Sequence, residues 1–229
     1  FAMDSHLRSR GAASRMLLLV LAALVAAGAG LWFGMHRART DAQAEQPPAR
    51  DEMKAQMRSV RLISPPRALP DWQLRLSDGG TARPATLQGR WTLVFLGFTH
   101  CPDVCPTTLA TLANAQKQWA ALPETKRPRL LFVTVDPERD TPQVVGDYAH
   151  YFNPDTLAAS PTPEQLAAFA KDLGLVYMKV SEPDGSYSMD HSATLVLLDP
   201  QGRQAGLLSP PLDALKIADD LRLLAERAP

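Results

Sequence analysis

Residues 91–109 read WTLVFLGFTHCPDVCPTTL, and this stretch decides the fold of the chain. Its first part, residues 91–97, is a continuous apolar run, which is typical of a strand buried on both faces of a sheet. A helix is predicted to follow over residues 106–122, because Pro123 ends the helical pattern. Between the two lie Cys101 and Cys105, the only two cysteines among 229 residues. The cysteines are therefore expected beyond the carboxyl end of a buried strand, where α/β sheets bind ligands.

The rest of the C-terminal part alternates between strand and helix patterns. Thr141-Pro142 is typical of a helix N-cap followed by proline at the first helical position. Thr162 and Gln165 have the spacing of a capping box, and Gly174 is a typical helix end. Further strands are predicted at 130–135, 175–180, 193–198 and 205–208, and helices at 142–152, 163–174 and 212–226. This order predicts an α/β fold of the thioredoxin-like kind, a central mixed sheet flanked by helices.

The N-terminal part has a different composition. Residues 16–35 form a run of twenty without a charge, which as a helix is about 30 Å long, the thickness of the bilayer core. We interpret this run as an uncleaved transmembrane anchor; a cleaved signal ending near Ala42-Gln43-Ala44 and a buried core helix are the alternatives. Residues 1–15 are then an N-terminal tail, 36–69 a proline-containing linker with residues 60–63 as a candidate short edge strand, and 70–229 the folded domain.

The charges around this run predict the orientation. Arg8, Arg10 and Arg15 precede it, whereas Arg37 and Arg39 follow it. The positive-inside rule therefore favours an N-terminus in the cytoplasm and a C-terminal domain outside, in the periplasm of a bacterium. A mitochondrial inner-membrane location is less favoured, because fifteen residues are short for a transit peptide.

Composition and charge exclude several function classes. The chain has 24 basic and 24 acidic residues, so it carries no overall positive charge for binding nucleic acid. Two cysteines are too few for a disulfide scaffold or for a four-cysteine zinc site. The pair itself is the feature that requires a function.

Two thiols four residues apart at the start of a helix can face the same way. Such a pair suits either a disulfide or one metal ion, and a structural disulfide made outside the cytoplasm is the alternative without a functional role. A helix N-terminus lowers thiol pKa, so we expect at least one of the two to be partly thiolate near neutral pH. Thiolates are soft ligands that favour Cu(I).

A metal site needs a third ligand, and His191 is the best candidate. It precedes the predicted strand 193–198, in a loop that approaches the cysteines in a thioredoxin-like sheet; from the residues alone, a structural role remains open. His100 should point away from Cys101, and His150 reads as a surface residue. Met189 is interpreted as core rather than as a thioether ligand. The segment 136–141 reads as a turn with an N-cap, or alternatively as a surface for docking a partner.

At these residues the chain resembles the Sco (SenC) family of copper-binding assembly factors for cytochrome c oxidase. The resemblance covers most of residues 70–224. It rests on GFTHCPDVCPTTL at 97–109, VDPERDTP at 135–142, TPEQ at 162–165 and DHSATLVLLDPQGR at 190–203. It implies a thioredoxin-like fold and one copper ion, Cu(I) or Cu(II), held by Cys101, Cys105 and His191. It also implies delivery of copper to the dinuclear centre of oxidase subunit II, with an upstream copper donor and a thiol reductant as unidentified partners.

Two other functions remain possible at this stage. One is a thiol–disulfide oxidoreductase that uses Cys101 and Cys105 as a redox pair to reduce the cysteines of that subunit; the other is a redox or copper sensor. Thioredoxin-type reductases place a proline before the strand that faces their cysteines, whereas residues 187–199 contain none. The spacing of three residues between the cysteines, rather than two, also favours a metallochaperone over an enzyme.

Overall fold

The computed structural model of the chain describes residues 24–35 and 48–227, which divide into two compact units between Met53 and Lys54. In the first unit, residues 24–35 form helix α1, with exposed side chains. No helix within the described ranges is long and apolar enough to cross a membrane. Residues 1–23 and 36–47 lie outside the described residues; they include the predicted tail, the first part of the predicted anchor, and His6 and His36.

The second unit contains ten strands and most of the helices of the described chain. The strands are β1 (Arg61–Arg67), β2 (Leu74–Arg75), β3 (Thr81–Ala82), β4 (Thr92–Gly97), β5 (Arg129–Thr134), β6 (Leu157–Ala159), β7 (Tyr177–Ser181), β8 (Tyr187–His191), β9 (Leu195–Leu198) and β10 (Gln204–Leu208). The helices are α2 (Pro48–Gln56), which crosses the division between the units, α3 (Pro84–Leu87), α4 (Val104–Trp119), α5 (Pro142–Phe152), α6 (Pro163–Leu173) and α7 (Ala214–Arg227).

Six of the strands form the main sheet, in the order β1-β10-β9-β4-β5-β6. Strands β4, β5 and β6 are parallel to one another. On the other side of β4, the neighbouring pairs β4–β9, β9–β10 and β10–β1 are all antiparallel. All six residues of β4 are buried, so both faces of the sheet are covered there. The predicted α/β fold with a mixed central sheet is confirmed.

The predicted helix ends follow the local capping chemistry. The Thr141 side chain accepts a hydrogen bond from the Val144 amide at 3.3 Å, and Thr162 and Gln165 form the expected capping box. Gly174 ends α6 with a positive φ of 71°, which glycine adopts without strain. Helix α4, by contrast, begins at Val104 rather than at 106. Pro106 is tolerated in this first turn because its missing N–H would have no partner there.

The predicted linker over 36–69 extends too far into the domain. Strand β1 pairs with β10 at the edge of the main sheet. The segment before β1 is held by the buried Asp220 carboxylate on α7, which accepts hydrogen bonds from the amides of Arg58 (3.0 Å), Ser59 (2.7 Å) and Val60 (2.8 Å). Prolines at 65 and 66 suggested a tether, but an edge strand tolerates proline and the anchoring acceptor lies far away in sequence.

We expect Asp220→Asn to lower the free energy of unfolding by about 2 kcal/mol, because an amide replaces a charged acceptor of three buried or half-buried N–H groups. Urea denaturation measures this change. Asp219→Asn is the matched control, since its side chain is exposed and pairs with the exposed Arg222. Equal destabilisation by the two variants would contradict the proposed anchoring.

Candidate metal centre

The two cysteines lie where β4 ends and α4 begins. Cys105 is buried in the first turn of α4, whereas Cys101 is half-buried in the preceding loop. The Cys105 amide donates a hydrogen bond to the Cys101 sulfur at 3.3 Å, and both thiols are free. The turn therefore presents both sulfurs at the carboxyl end of β4, as the sequence predicted.

Gly97, the last residue of β4, makes this close approach possible. A Cβ at this position would lie 3.0 Å from the Cys105 sulfur and 2.8 Å from a ring carbon of Phe132. Any larger residue would therefore push the first turn of α4 away from the sheet. The sulfur of Cys105 is packed against the backbone of β4 because that backbone carries no side chain here.

His191 reaches the same place from the other side. It is the last residue of β8 in the two-stranded β7–β8 hairpin, where it pairs with Tyr177. Its Nε2 lies 3.5 Å from the Cys105 sulfur, and its Nδ1 lies 3.1 Å from the Ser192 carbonyl oxygen. Since a carbonyl only accepts, Nδ1 carries the proton, and the lone pair of the neutral ring is on Nε2, facing the thiol.

Burial determines the protonation of both groups. Burial lowers the pKa of His191 below its usual range, so the imidazole stays neutral and able to bind a metal near neutral pH. Burial raises the pKa of the Cys105 thiol well above its usual range, so this member of the pair stays protonated near neutral pH. A backbone hydrogen bond at Phe98 lowers this pKa by less than burial raises it, and a bound cation would supply the missing positive charge.

Cys101, the third predicted ligand, lies beside Cys105 but does not complete a compact cluster of three ligands among the described residues. No three His, Cys, Asp or Glu side chains in the described ranges are arranged to hold one ion. Cys105 and His191 are in contact, while the Cys101 sulfur faces the Cys105 amide. The Cys101 thiol is also a hydrogen-bond partner of the Cys105 thiol, so the two sulfurs and the imidazole nitrogen lie in one neighbourhood.

The other candidate ligands have different partners. His100 is exposed and directs its Nδ1 to the Thr99 hydroxyl at 3.0 Å. His150 is exposed, as predicted, with its Nε2 3.1 Å from the Thr156 carbonyl oxygen. Met189 is buried, consistent with the predicted core role.

Asp140 supports the cysteine loop, a role that the motif analysis did not single out. Its carboxylate is fully buried and accepts hydrogen bonds from the Thr99 amide (2.9 Å), the Thr99 hydroxyl (2.5 Å) and the Thr134 hydroxyl (2.6 Å). Thr99 lies two residues before Cys101. Asp140 therefore holds the loop that presents the cysteines, and only its place in the VDPERDTP stretch could have indicated it.

Asp136 plays the matching role for the histidine. Its buried carboxylate accepts hydrogen bonds from the Tyr187 hydroxyl at 3.0 Å and from the Arg139 guanidinium. Arg139 also donates to the Tyr187 carbonyl at 3.1 Å and lies 3.8 Å above its ring. Tyr187 begins β8, the strand that ends at His191. The segment 136–141 is thus an internal anchor for the hairpin as well as a turn and N-cap.

Comparison with known proteins places the whole arrangement in one family. The SCO1/SenC family profile matches residues 61–226, more than half of the chain. The chain belongs to the SCO1/SenC family. The mitochondrial SCO2 homologue of Bos taurus is 32% identical over 206 residues, which cover 89% of this chain and 73% of that protein.

Solved structures of Sco proteins share the fold. Arabidopsis thaliana ScoI with copper bound matches with a TM-score of 0.64 and 31% identity, over 70% of this chain and 99% of that one. Bradyrhizobium japonicum ScoI with copper bound matches with a TM-score of 0.62 and 32% identity, over 68% and 98%. The resemblance to the Sco family is confirmed, and with it the thioredoxin-like architecture.

We expect Asp140→Asn to weaken the binding of Cu(I), the probe ion, by about 10-fold or more, because the cysteine loop loses its charged anchor. Competition against a chromogenic chelator measures this change. Asp103→Asn is the matched control, since Asp103 lies in the same loop and is exposed. Unchanged affinity in Asp140→Asn would show that the loop keeps its geometry without the carboxylate.

Proposed function

We propose that the chain binds one copper ion through Cys101, Cys105 and His191 and delivers it to the dinuclear copper centre of cytochrome c oxidase subunit II. The observation that carries the proposal is the 3.5 Å contact between the Cys105 sulfur and the lone-pair nitrogen of His191. The two residues are 86 positions apart, and the fold brings them together beside the second thiol. The copper-bound ScoI relatives support copper as the cargo.

The donor set suits Cu(I). Two sulfurs and one neutral imidazole are soft or borderline ligands, and no carboxylate is needed. Cys105 is fully buried and keeps water from one side of the ion, whereas Cys101 and His191 are half-buried at its accessible side. We expect an acceptor's ligands to approach at Cys101, because a site with three ligands leaves room for a fourth during exchange.

Thiol oxidation would gate this binding. When Cys101 and Cys105 form a disulfide, two electrons and two protons pass to a disulfide of the oxidising partner, and both sulfur ligands are lost together. Copper uptake therefore requires the reduced pair. A thiol reductant would restore the pair after oxidation.

The same redox step defines the alternative, in which the reduced pair transfers two electrons and two protons to a disulfide between the cysteines of subunit II and itself becomes the Cys101–Cys105 disulfide. The sequence favours metal transfer over this reductase, because residues 187–199 lack the proline that docks reductase substrates.

We further propose that residues 16–35 anchor the protein in the cytoplasmic membrane with residues 70–229 in the periplasm. The uncharged run of twenty residues and the arginines before it support this proposal. There the domain would reach an oxidase subunit in the same membrane. Removal of residues 1–35 should move the protein from the membrane to the soluble fraction on cell fractionation.

We expect His191→Ala to weaken Cu(I) binding by at least about 100-fold, since it removes a direct ligand and leaves two sulfurs. Chelator competition and the copper stoichiometry of the purified reduced protein measure this. His150→Ala, an exposed histidine on α5, is the matched control. Unchanged affinity in His191→Ala would contradict the three-ligand site.

A complementation experiment separates copper delivery from thiol reduction. In a strain that lacks the protein, neither Cys101→Ser nor His191→Ala should restore oxidase activity, and added copper should rescue both. If His191→Ala restores activity in full while Cys101→Ser does not, the protein acts as a reductase. Normal oxidase activity in the strain without any copy would favour the sensor.

A further inference from the structure

A cavity lies at the opposite end of the sheet from the cysteines. Residues Thr92 and Arg129 pair where the parallel strands β4 and β5 begin, whereas the cysteine loop follows the end of β4. The cavity has a volume of about 530 Å³. Its walls are the turn before β4, the loop between α4 and β5, and the end of α7, with the lining residues Gln88, Gly89, Arg90, Trp91, Glu124, Thr125, Lys126, Arg129 and Ala225.

Positive charge is concentrated around this cavity. Arg90, Lys126 and Arg129 line it, with Glu124 as the only lining carboxylate. Arg127 lies close enough to repel Arg90, and Asp155 is near enough to attract it. The lining itself thus holds three cations and one carboxylate.

The three arginines are only partly satisfied by the protein. Arg90 donates to the Glu124 carbonyl at 3.1 Å, and Arg127 donates to the Ala120 carbonyl at 2.8 Å near the end of α4. Arg129 has no side-chain hydrogen bond or ion pair within residues 48–227. Each of the three also has a solvent-inaccessible guanidinium nitrogen that finds no partner in that range.

This arrangement is electrostatically unfavourable without a counter-ion. Burial lowers the pKa of Arg129 below its usual range, and the charge of Arg90 lowers it further. Burial likewise lowers the pKa of Arg90. Half-buried like charges repel one another more strongly than exposed ones, so an anion in the cavity would remove a destabilising contact.

We propose that this cavity binds a phosphate group through Arg90, Lys126 and Arg129. Guanidinium groups form paired hydrogen bonds to phosphate oxygens, and a lysine adds a mobile point charge. The volume is larger than one phosphate requires, so the ligand carries a substituent or a second phosphate. A phospholipid headgroup and a free polyphosphate share this chemistry, and both are tested below.

The test is a calorimetric titration of the full-length reduced protein with two probes. Inorganic pyrophosphate represents the free polyphosphate, and glycerophosphoglycerol represents a lipid headgroup diester. We expect one site per chain for at least one probe, and the probe that binds more tightly identifies the source. Failure of both probes to bind at low salt would overturn the proposal.

Variants distinguish a specific phosphate-binding site from non-specific attraction by surface charge. Arg129→Gln and Lys126→Gln should each weaken binding by about 10-fold, since each removes a charged donor. Arg222→Gln, an exposed arginine on α7 that pairs with Asp219, should change it by less than about 2-fold. Equal weakening by all three variants would overturn the proposal. Lys126 is exposed, so its variant keeps the test valid if Arg129→Gln does not fold.

Copper binding provides an independent readout. The cavity and the cysteine loop lie at opposite ends of β4, so Arg129→Gln and Lys126→Gln should bind Cu(I) with unchanged affinity. This result would show that the phosphate site is separate from the copper site and does not depend on the proposed copper delivery. Loss of copper affinity in Lys126→Gln would contradict two separate sites.

Discussion

The absence of a side chain at Gly97 is the constraint on which the site depends. It lets the first turn of α4 pack directly on the end of β4, with the Cys105 sulfur 3.0 Å from where a Cβ would lie. This contact buries the thiol and raises its pKa, so the group stays neutral until a cation or an oxidant reaches it. It also leaves the sulfur within 3.5 Å of His191, which arrives from a hairpin 86 residues later.

One loop then positions both halves of the site. Asp140 holds the cysteine loop through Thr99, and Asp136 holds the histidine hairpin through Tyr187. Both carboxylates are buried at the end of β5, the strand that pairs with β4. Buried carboxylates are stable only when their oxygens accept hydrogen bonds, so each one specifies the place of its donors. The loop after β5, which supplies no ligand itself, therefore fixes the distance between the thiols and the imidazole.

Features that depend on interactions between residues close in sequence can be predicted from the sequence, whereas features that depend on distant residues cannot. Thr141, Thr162 and Gln165 predict helix starts correctly because a cap and its partners lie within three residues. Residues 58–60 illustrate the opposite case, because their partner Asp220 lies about 160 positions away in the sequence. The predicted start of the domain at residue 70 was therefore too late. The thiol of Cys105 shows the same limit: the helix N-terminus is visible in the sequence, but the burial that raises the pKa of the thiol is not.

The sequence by itself determined the α/β order, the buried central strand, the cysteine pair at its end and the family. These features depend on apolar periodicity, capping and motif spacing, which operate over a few residues. Only the tertiary structure decided that Cys105 and His191 touch, that Cys101 faces an amide, and that Asp136 and Asp140 hold the two halves. It also collected Arg90, Lys126 and Arg129 around one cavity. These contacts join residues that are distant in the chain, and burial and charge act on them only once folding has removed the water between them.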